Sequence, residues 1–450
     1  MNKKIFFYFF LTFISSMFAT EEIQVSLETS KPLMPIYVSK VFNEKSNFQE
    51  SYLEKLHSVL KFDMNYNGNT KVVANSTKDD FKVSHFDKEI AFEKSYWKKE
   101  KITFILKTEV NFSYINAYIY DVDKDNIKTF SHIDLTGNLN EDRVTIHKLS
   151  DNIHEFLFGQ KGIAGLKILY TIKDKNTASS KSKWKSEIWM CDYDGENANQ
   201  LSFDNNYLVH PIFIPKSISK EYIYVSYIEG QPKLFKNSLN KKEPMQFIKL
   251  RGNQLLPSVS YEGDKLAFIC DASGRPDIFL QHLDKNGLTI GKPIQLFSFP
   301  NATNASPVFS NDGQKLAFVS DKDGTPRIYV IKIPDDLYLR KRPIAQMITK
   351  KNRENVSPSW SKDGKKLAYS AKTDKIRQIW IYDFDTDEEW QLTSGPMNKE
   401  NPIFANDSLN IVYNTEDVSE SELYLINIKQ KEPIKITKNE GRKRFPSFEP

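Results

Sequence analysis

The side chains that could do chemistry in this chain are few and widely spaced. A catalytic metal needs His, Cys or carboxylate groups that converge on one point. Only His147 and His154, seven residues apart, are predicted to lie on one face of the same helix. We expect structural roles for both, with metal binding as the alternative. The sequence therefore predicts no metal and no other cofactor. The seven histidines are His57, His85, His132, His147, His154, His210 and His282.

Motifs that signal catalysis are missing from the sequence. It contains no G-x-S-x-G nucleophile elbow, no phosphate-binding Walker loop, no dinucleotide fingerprint and no C-x-x-C pair. The adjacent acids Asp335-Asp336 and Glu388-Glu389 fall in predicted loops, where solvated charge is the usual explanation. No catalytic residue is predicted, and a binding function is favoured over an enzymatic one.

Composition limits which classes of protein remain possible. The chain has 450 residues, 13% of them aromatic, which is enough apolar area to exclude a disordered protein. The formal net charge of +5 is spread along the chain without a long basic block, which argues against nucleic-acid binding. Beyond the first 19 residues no apolar run is long enough to span a membrane.

The first residues have the pattern of an export signal. Lys3 and Lys4 precede an apolar run over 5–14, and small residues lead to Ala19. We predict a signal peptide over 1–19 that is cleaved after Ala19. An uncleaved membrane anchor is the alternative.

A repeat with a period of about 44–51 residues fills the C-terminal two-thirds of the chain. Each unit predicts four strands: a first strand around a proline, an Asp-Gly turn as at Asp363-Gly364, an apolar second strand as at 316–319, an aromatic third strand as at 379–382, and a short fourth strand. This pattern is typical of β-propeller blades. The marker prolines are Pro211, Pro257, Pro307, Pro358, Pro402 and Pro446.

The two ends of the array complement each other. The segment from Gly165 resembles a second strand that lacks its first strand, and the segment 444–450 resembles a first strand with nothing after it. Joining them predicts a closed six-bladed propeller whose last blade is shared between the two ends; an open solenoid is the alternative. Cys191 and Cys270 then fall on non-neighbouring blades, which predicts two free, buried thiols.

The N-terminal third lacks the repeat and predicts a small α/β domain. Strands are predicted over 34–41, 101–110 and 115–123, and a helix over 51–62. A second helix over 141–159 should end at Gly159. Its predicted buried face consists of Val144, Leu149, Ile153, Phe156 and Leu157. The predicted domains are 32–160 for the α/β part and 161–450 for the propeller.

This order of parts resembles the TolB family, the periplasmic component of the Tol–Pal system of Gram-negative envelopes. The stretch from Arg143 through His147 and Asp151 to Tyr170 is similar to the family's helix-to-propeller junction, and the segment 191–201 (CDYDGENANQL) is similar to its first-blade segment. The chain departs from the pattern in blades two and six, where Ile218-Ser219 and Asp407-Ser408 replace the Asp-Gly turn.

The resemblance implies a non-catalytic, monomeric periplasmic adaptor that supports outer-membrane integrity and envelope constriction at division. It implies a peptidoglycan-associated lipoprotein (Pal) as partner, bound beside the blade-opening prolines. Strand parity places the two-to-three turns and the blade-to-blade connections at that same end, where three arginines could serve as anchors. The predicted Pal-binding residues are Asn253, Leu256, Arg275, Ala305, Ser306, Arg327, Arg353, Ser357 and Asn401.

The mature N-terminus is the second predicted contact. The segment 20–31 alternates apolar and polar residues and could add a strand to a partner's sheet. The resemblance implies TolA, the inner-membrane arm of the system, as that partner and leaves other outer-membrane proteins open; a frayed end or an ordinary first strand is the alternative. The predicted TolA-binding residues are Glu21, Glu22, Ile23, Gln24, Val25 and Leu27.

The lysine-rich insert 173–185 in the first blade is expected to be a flexible, solvated loop. The rival function is that of an exported propeller hydrolase or lyase with a divergent active site.

Overall fold

Consecutive apolar residues build the first strand of the N-terminal sheet, because helices cover both faces of that sheet. The structure is a computed structural model that describes residues 32–86, 93–176, 183–240, 243–334, 343–417, 420–430, 432–438 and 440–450. The predicted signal peptide 1–19, the tail 20–31 with its six TolA-binding residues, and Asp335-Asp336 lie outside these ranges. Among the described helices, none combines the length and apolar character that a bilayer crossing requires.

The α/β region contains a five-stranded sheet in the order β2-β1-β3-β4-β5. Ile36 and Val38 of the first strand face the first and fourth helices, whereas Tyr37 faces Val83 and Trp97 of the second and third helices. The elements are β1 (Met34–Asn43), α1 (Glu50–Tyr66), β2 (Thr70–Val72), α2 (Thr77–Ser84), α3 (Lys94–Lys99), β3 (Phe104–Asn111), β4 (Tyr114–Asp121), β5 (Asn126–Asp134) and α4 (Leu139–Phe158). The predicted α/β class is confirmed; β2, β5, α2 and α3 were not predicted.

Helix α4 shows where helical spacing predicted burial correctly and where it did not. Leu149 and Ile153 are buried as predicted, and Gly159 ends the helix with φ +71° while its N–H donates to Glu155 O. The buried stripe advances in steps of three and four residues along one side. Phe156 lies beside that stripe and is 38% exposed, so its predicted burial is wrong. Val144 and Leu157 are half-buried.

Six four-stranded antiparallel sheets follow in the described part of the chain, as the repeat predicted. Blades 2 to 6 each use four consecutive strands. Blade 2 is β9 (Leu208–Phe213), β10 (Glu221–Ser226), β11 (Lys233–Ser238) and β12 (Met245–Gln246); blade 3 is β13 (Gln254–Val259), β14 (Lys265–Cys270), β15 (Asp277–Leu283) and β16 (Thr289–Phe297). Blade 4 is β17 (Asn304–Phe309), β18 (Lys315–Ser320), β19 (Arg327–Lys332) and β20 (Gln346–Met347). Blade 5 is β21 (Asn355–Trp360), β22 (Lys366–Thr373), β23 (Ile376–Asp383) and β24 (Glu388–Gln391); blade 6 is β25 (Asn398–Phe404), β26 (Asn410–Glu416), β27 (Leu423–Asn427) and β28 (Ile434–Lys435).

Blade 1 closes the ring with strands from both ends of the array. Its strands are β29 (Arg442–Phe448), β6 (Lys167–Lys175), β7 (Trp184–Asp192) and β8 (Asn199–Gln200). Antiparallel pairing joins Phe448 to Ile168 and Arg442 to Lys173. The first strands of neighbouring blades contact one another around a complete cycle, so they form the inner wall and the fourth strands lie outside. The predicted closure is confirmed.

The Asp-Gly turns have a local cause. Gly313 and Gly364 adopt φ +64° and +72°, which glycine reaches without strain. In the first of these turns, Ser310 Oγ donates to Asp312 and accepts from Lys315 N. These contacts fix the hairpin between the first and second strands.

Two expectations about polar segments need correction. Residues 173–175 and 184–185 of the insert belong to the β6–β7 hairpin, whose pairing reaches Lys175 and Trp184. Residues 177–182 lie outside the described ranges, so a flexible loop there stays a prediction. The expected solvation of Glu389 is wrong. Glu389 lies within β24, is 4% exposed, and accepts from Tyr369 Oη at 2.5 Å and Lys350 N at 2.6 Å. Cys191 and Cys270 are both buried and free, as predicted.

Candidate docking site

The residue before each blade-opening proline adopts a left-handed backbone. All six have φ between +46° and +55°, although none is glycine, and for Leu256 and Phe445 this conformation is a genuine outlier. Each proline itself is buried, whereas each preceding residue is partly exposed. We call these six residues the pre-proline ring: His210, Leu256, Ser306, Ser357, Asn401 and Phe445.

The cause of this conformation is visible in the strand register. Proline has no N–H to donate to the neighbouring strand, so the pairing of the first and second strands skips two residues at this point in every blade. Such bulges bend a strand and re-aim a side chain. The fold therefore carries six equivalent bulges on its inner wall, one per blade.

One end of the propeller carries the ring and all nine predicted Pal-binding residues. The first strands begin at this end, and the two-to-three turns and blade-to-blade connections lie there because successive strands are antiparallel. We call it the connection end. Asn253 and Arg353 precede first strands, and Arg275 lies in a two-to-three turn. Leu256, Ala305, Ser306, Ser357 and Asn401 lie within first strands, and Arg327 begins a third strand.

The α/β region covers the opposite end. Tyr66 O accepts from Asn410 at the start of β26, and Asn65 O accepts from Gln430 just after β27. Tyr193, just after β7, donates to Asp63 of α1 at 2.8 Å. These three propeller residues belong to one-to-two or three-to-four turns. No described residue of the α/β region makes a hydrogen bond or ion pair at the connection end.

The three predicted anchor arginines differ in their surroundings. Arg327 Nη1 donates to the backbone oxygen of Asn352 at 2.5 Å, with longer contacts to two neighbouring carbonyls. Arg275 pairs with fully buried Asp277 at 3.3 Å and donates to Ser298 at 2.9 Å. Arg353 is exposed, and within the described ranges nothing forms a hydrogen bond or ion pair with its guanidinium. Arg353 is thus the arginine whose charge is most available to a partner.

Side-chain hydrogen bonds order several of the other predicted residues. Asn253 donates twice to Asp271, at 2.7 Å from its backbone N and 2.7 Å from Nδ2. Ser357 donates to Asn401 at 3.1 Å, and Asn401 donates to Asn414 at 2.8 Å, which links blades 5 and 6. These contacts hold the side chains of Asn253, Ser357 and Asn401 in fixed orientations.

Ion pairs lie beside the uncharged ring at the connection end. On the side of blades 5, 6 and 1, Arg377 lies 3.5 Å from Glu354 and 3.6 Å from Glu400. Arg444 lies 3.0 Å from Glu416. Burial raises the pKa of Glu400 although Arg377 opposes the shift. Blades 3 and 4 place Arg275 and Arg327 at the same end, beside the uncharged ring members Leu256 and Ser306.

Sequence reasoning missed two members of the ring. His210 and Phe445 belong to blades 2 and 1, and their rings contact each other at a tilt of 34°, with the centroids 3.9 Å apart. Burial, and then the nearby charge of Arg444, lower the pKa of His210 to about 3. The rule that found Leu256, to take the residue before the marker proline, would have found both.

The two histidines of α4 lie at the other end and differ from each other. His154 is 2% exposed, and both of its ring nitrogens have partners: Gln160 O at 2.9 Å and Asn69 Nδ2 at 3.0 Å. This agrees with a structural role. His147 is equally buried and contacts Asp63 through Nδ1 at 3.0 Å.

Comparisons with known proteins agree with the fold. The family model described as TolB beta propeller domain matches residues 154–450. The chain is 44% identical over 384 residues to a protein TolB homolog of Protochlamydia amoebophila, covering 85% of this chain and 82% of the relative. It is 34% identical over 322 residues to a protein TolB homolog of Chlamydia pneumoniae, covering 71% and 73%. Its fold superposes on the crystal structure of TolB from Acinetobacter baumannii with a TM-score of 0.71 and 19% identity, over 93% of this chain and 97% of that one.

Proposed function

The chain belongs to the TolB family, and on that basis we propose that it is a non-catalytic adaptor of the Tol–Pal system in the periplasm. It binds a Pal-like peptidoglycan-associated lipoprotein at the connection end and a TolA-like inner-membrane protein through residues 20–31. It reaches the periplasm through the cleaved signal peptide 1–19 and acts as a monomer. In this role it supports outer-membrane integrity and constriction of the envelope at division.

The pre-proline ring is the observation that carries the lipoprotein site. A non-glycine residue in the left-handed region costs on the order of 1–3 kcal/mol, and such residues concentrate at binding sites. Here the feature recurs in all six blades at one end. That end makes no polar contact with the described α/β region, and its ring residues are partly exposed, so a partner has access to it.

Two properties of this surface suit a protein partner. The hydrogen bonds of Asn253, Ser357 and Asn401 pre-order their side chains, which lowers the entropy cost of association. The ring members Leu256 and Ser306 offer aliphatic and small contacts, and the charged side chains around the ring can set the orientation of the partner.

The lipoprotein site is tested by filling the ring with a large side chain. Ser306→Trp should weaken binding of the soluble domain of a Pal-like lipoprotein by at least about 10-fold in a calorimetric titration. The left-handed backbone tolerates a large residue here, because Leu256 and Phe445 adopt the same conformation. Gln314→Trp, on an exposed turn at the opposite end, is the matched control and should bind as the wild type does. Equal affinities for the two variants would move the site elsewhere.

The TolA-like contact needs a separate test. Deleting residues 20–31 from the mature chain should abolish capture of the C-terminal domain of a TolA-like protein while thermal unfolding of the propeller stays unchanged. The deletion should also leave lipoprotein binding measurable. If the truncated chain captures the TolA-like domain as well as the full mature chain does, the tail is not the contact.

A further inference from the structure

The strongest unexplained feature outside the connection end is a buried polar cluster where α1 and α4 meet blade 1. Its members are Asp63 on α1, Arg143 and His147 on α4, Lys167 on β6, and Asp192 and Asp194 at and after the end of β7. The side chains of Asp63, His147, Asp192 and Asp194 are all 5% exposed or less. The docking function uses none of them.

His147 is held in one orientation with one ring nitrogen left over. Both oxygens of Asp63 lie 3.0 Å from Nδ1, and Tyr193 donates to the same carboxylate at 2.8 Å. A carboxylate at Nδ1 favours the N–H there and leaves the lone pair on Nε2. Nε2 is buried and has no hydrogen-bond partner among the described residues.

The distances from His147 Nε2 to the two nearest carboxylate oxygens are too long for hydrogen bonds, but they suit ligand atoms that share one cation. Asp194 Oδ2 lies 3.7 Å from Nε2, and Asp192 Oδ2 lies 3.9 Å from it. An N–H···O hydrogen bond spans about 2.7–3.2 Å, so neither oxygen accepts a proton directly from Nε2. Two metal–ligand bonds of about 2.1 Å place their ligand atoms roughly 3.4–4.2 Å apart at angles from tetrahedral to linear.

The charge of the cluster points in the same direction. Three carboxylates face two cations, because Arg143 pairs with Asp194 and Lys167 pairs with Asp192. These two pairs leave one negative charge, which either a proton on His147 or a bound cation would neutralise, and an unpaired buried charge is costly. Asn197 Nδ2 also donates to Asp192 Oδ2 at 2.7 Å. A carboxylate has about four lone-pair sites, so these contacts leave room for a cation on the same groups.

We propose that His147 Nε2, Asp192 and Asp194 bind one divalent cation of the zinc or manganese type, with Asp63 orienting the imidazole. One nitrogen and two carboxylate oxygens form a borderline-hard ligand set, which suits these ions. The ligands come from α4 and from the end of β7. The cation therefore ties the α/β region to blade 1, a role separate from the proposed lipoprotein and TolA-like contacts.

The test compares two equally buried histidines of one helix. The full mature chain is stripped with EDTA, titrated with ZnCl₂ and MnCl₂, and assayed for bound metal after gel filtration. Wild type should retain one equivalent, and its melting temperature should rise with the metal and fall with EDTA. His147→Gln should lose that equivalent, whereas His154→Gln, whose histidine has partners on both nitrogens, should keep it.

A conservative second variant guards against misfolding of His147→Gln. Asp63→Asn leaves the three ligands in place and should weaken the metal affinity about 10–100-fold, the usual effect of losing the carboxylate behind a ligating histidine. The proposal is overturned if stripped wild type binds no equivalent, or if both histidine variants bind equally, which would indicate exposed histidines. If the melting temperature depends on pH but does not respond to either metal or to EDTA, a proton on His147 Nε2 takes the place of the cation.

Discussion

The three arginines of the connection end should separate binding from stability when each is replaced by alanine. Arg353→Ala removes an exposed side chain, so the free energy of unfolding should stay within about 0.5 kcal/mol of wild type. If Arg353 is an anchor, affinity for the Pal-like lipoprotein should fall by about 1–2 kcal/mol, which is roughly 5–30-fold.

Arg327→Ala should lower the free energy of unfolding, which Arg353→Ala leaves nearly unchanged. Its guanidinium donates to the carbonyl of buried Asn352 at 2.5 Å, with two longer carbonyl contacts. Hydrogen bonds to a charged group contribute about 1.5–3 kcal/mol, and the alanine leaves these carbonyls without that donor. We expect the free energy of unfolding to fall by about that amount.

Arg275→Ala should lower both the free energy of unfolding and the affinity for the lipoprotein. Asp277 is fully buried and loses its ion pair, although Ser273 and Gln295 still donate to it at 2.6 and 2.7 Å. The stability loss should therefore be smaller than for Arg327→Ala.

Urea unfolding followed by tryptophan fluorescence measures stability, and calorimetric titration measures binding. Arg353→Lys, which keeps the charge, should retain more affinity than Arg353→Ala. The reasoning fails if Arg353→Ala destabilises the chain as much as Arg327→Ala does, or if Arg353→Ala binds the lipoprotein with wild-type affinity.

Three further predictions concern the propeller itself. The pKa of His210 is about 3 when folded and near 6.5 when unfolded, so the unfolded chain takes up the proton first. The free energy of unfolding should fall as pH drops below 6.5, by at most about 2 kcal/mol at pH 5. In urea titrations, His210→Gln should lack this pH dependence. Parallel pH profiles for wild type and His210→Gln would contradict the prediction. Phe448→Ala, on the closing strand and 6% exposed, should cost about 3–5 kcal/mol, whereas Phe203→Ala, 70% exposed, should change stability by less than about 0.5 kcal/mol in urea melts. Equal effects would mean that the closing strand contributes little. Gly195→Ala should destabilise by at least about 2 kcal/mol on thermal unfolding, because φ is +88° and a Cβ would lie 1.7 Å from Ile436 O. A wild-type melting temperature would refute that contact.

The repeat was predictable because its signals are local or regular along the chain. The marker prolines, the Asp-Gly turns and the apolar second strands each specify a strand or a turn within a few residues. The complementary half-units at 165 and 444–450 then predicted the closure that β29 and β6 make. Burial on α4 was predicted less well, since which side of a helix is covered depends on what packs against it; Phe156 is the example.

Local signals also predicted which residues lie at the connection end, but not which of their side chains are free and which are hydrogen-bonded. Strand parity follows from the order of the elements, so the nine predicted Pal-binding residues could be assigned to one end. That they bind a lipoprotein stays a prediction, as do the domain boundaries at 32–160 and 161–450. Whether an arginine is free, like Arg353, or held by carbonyls, like Arg327, depends on neighbours that the local pattern does not specify.

By itself the sequence determined six blades, their circular closure and an α/β region before them, because each follows from periodicity or from segments adjacent in the chain. Only the tertiary structure decided which propeller end the α/β region covers, and that Asp63, His147 and Asp194 share one buried cluster. The physical reason is distance along the chain. Asp63 and Asp194 are separated by more than a hundred residues, and no local preference of either one specifies that folding removes both from water beside the same imidazole.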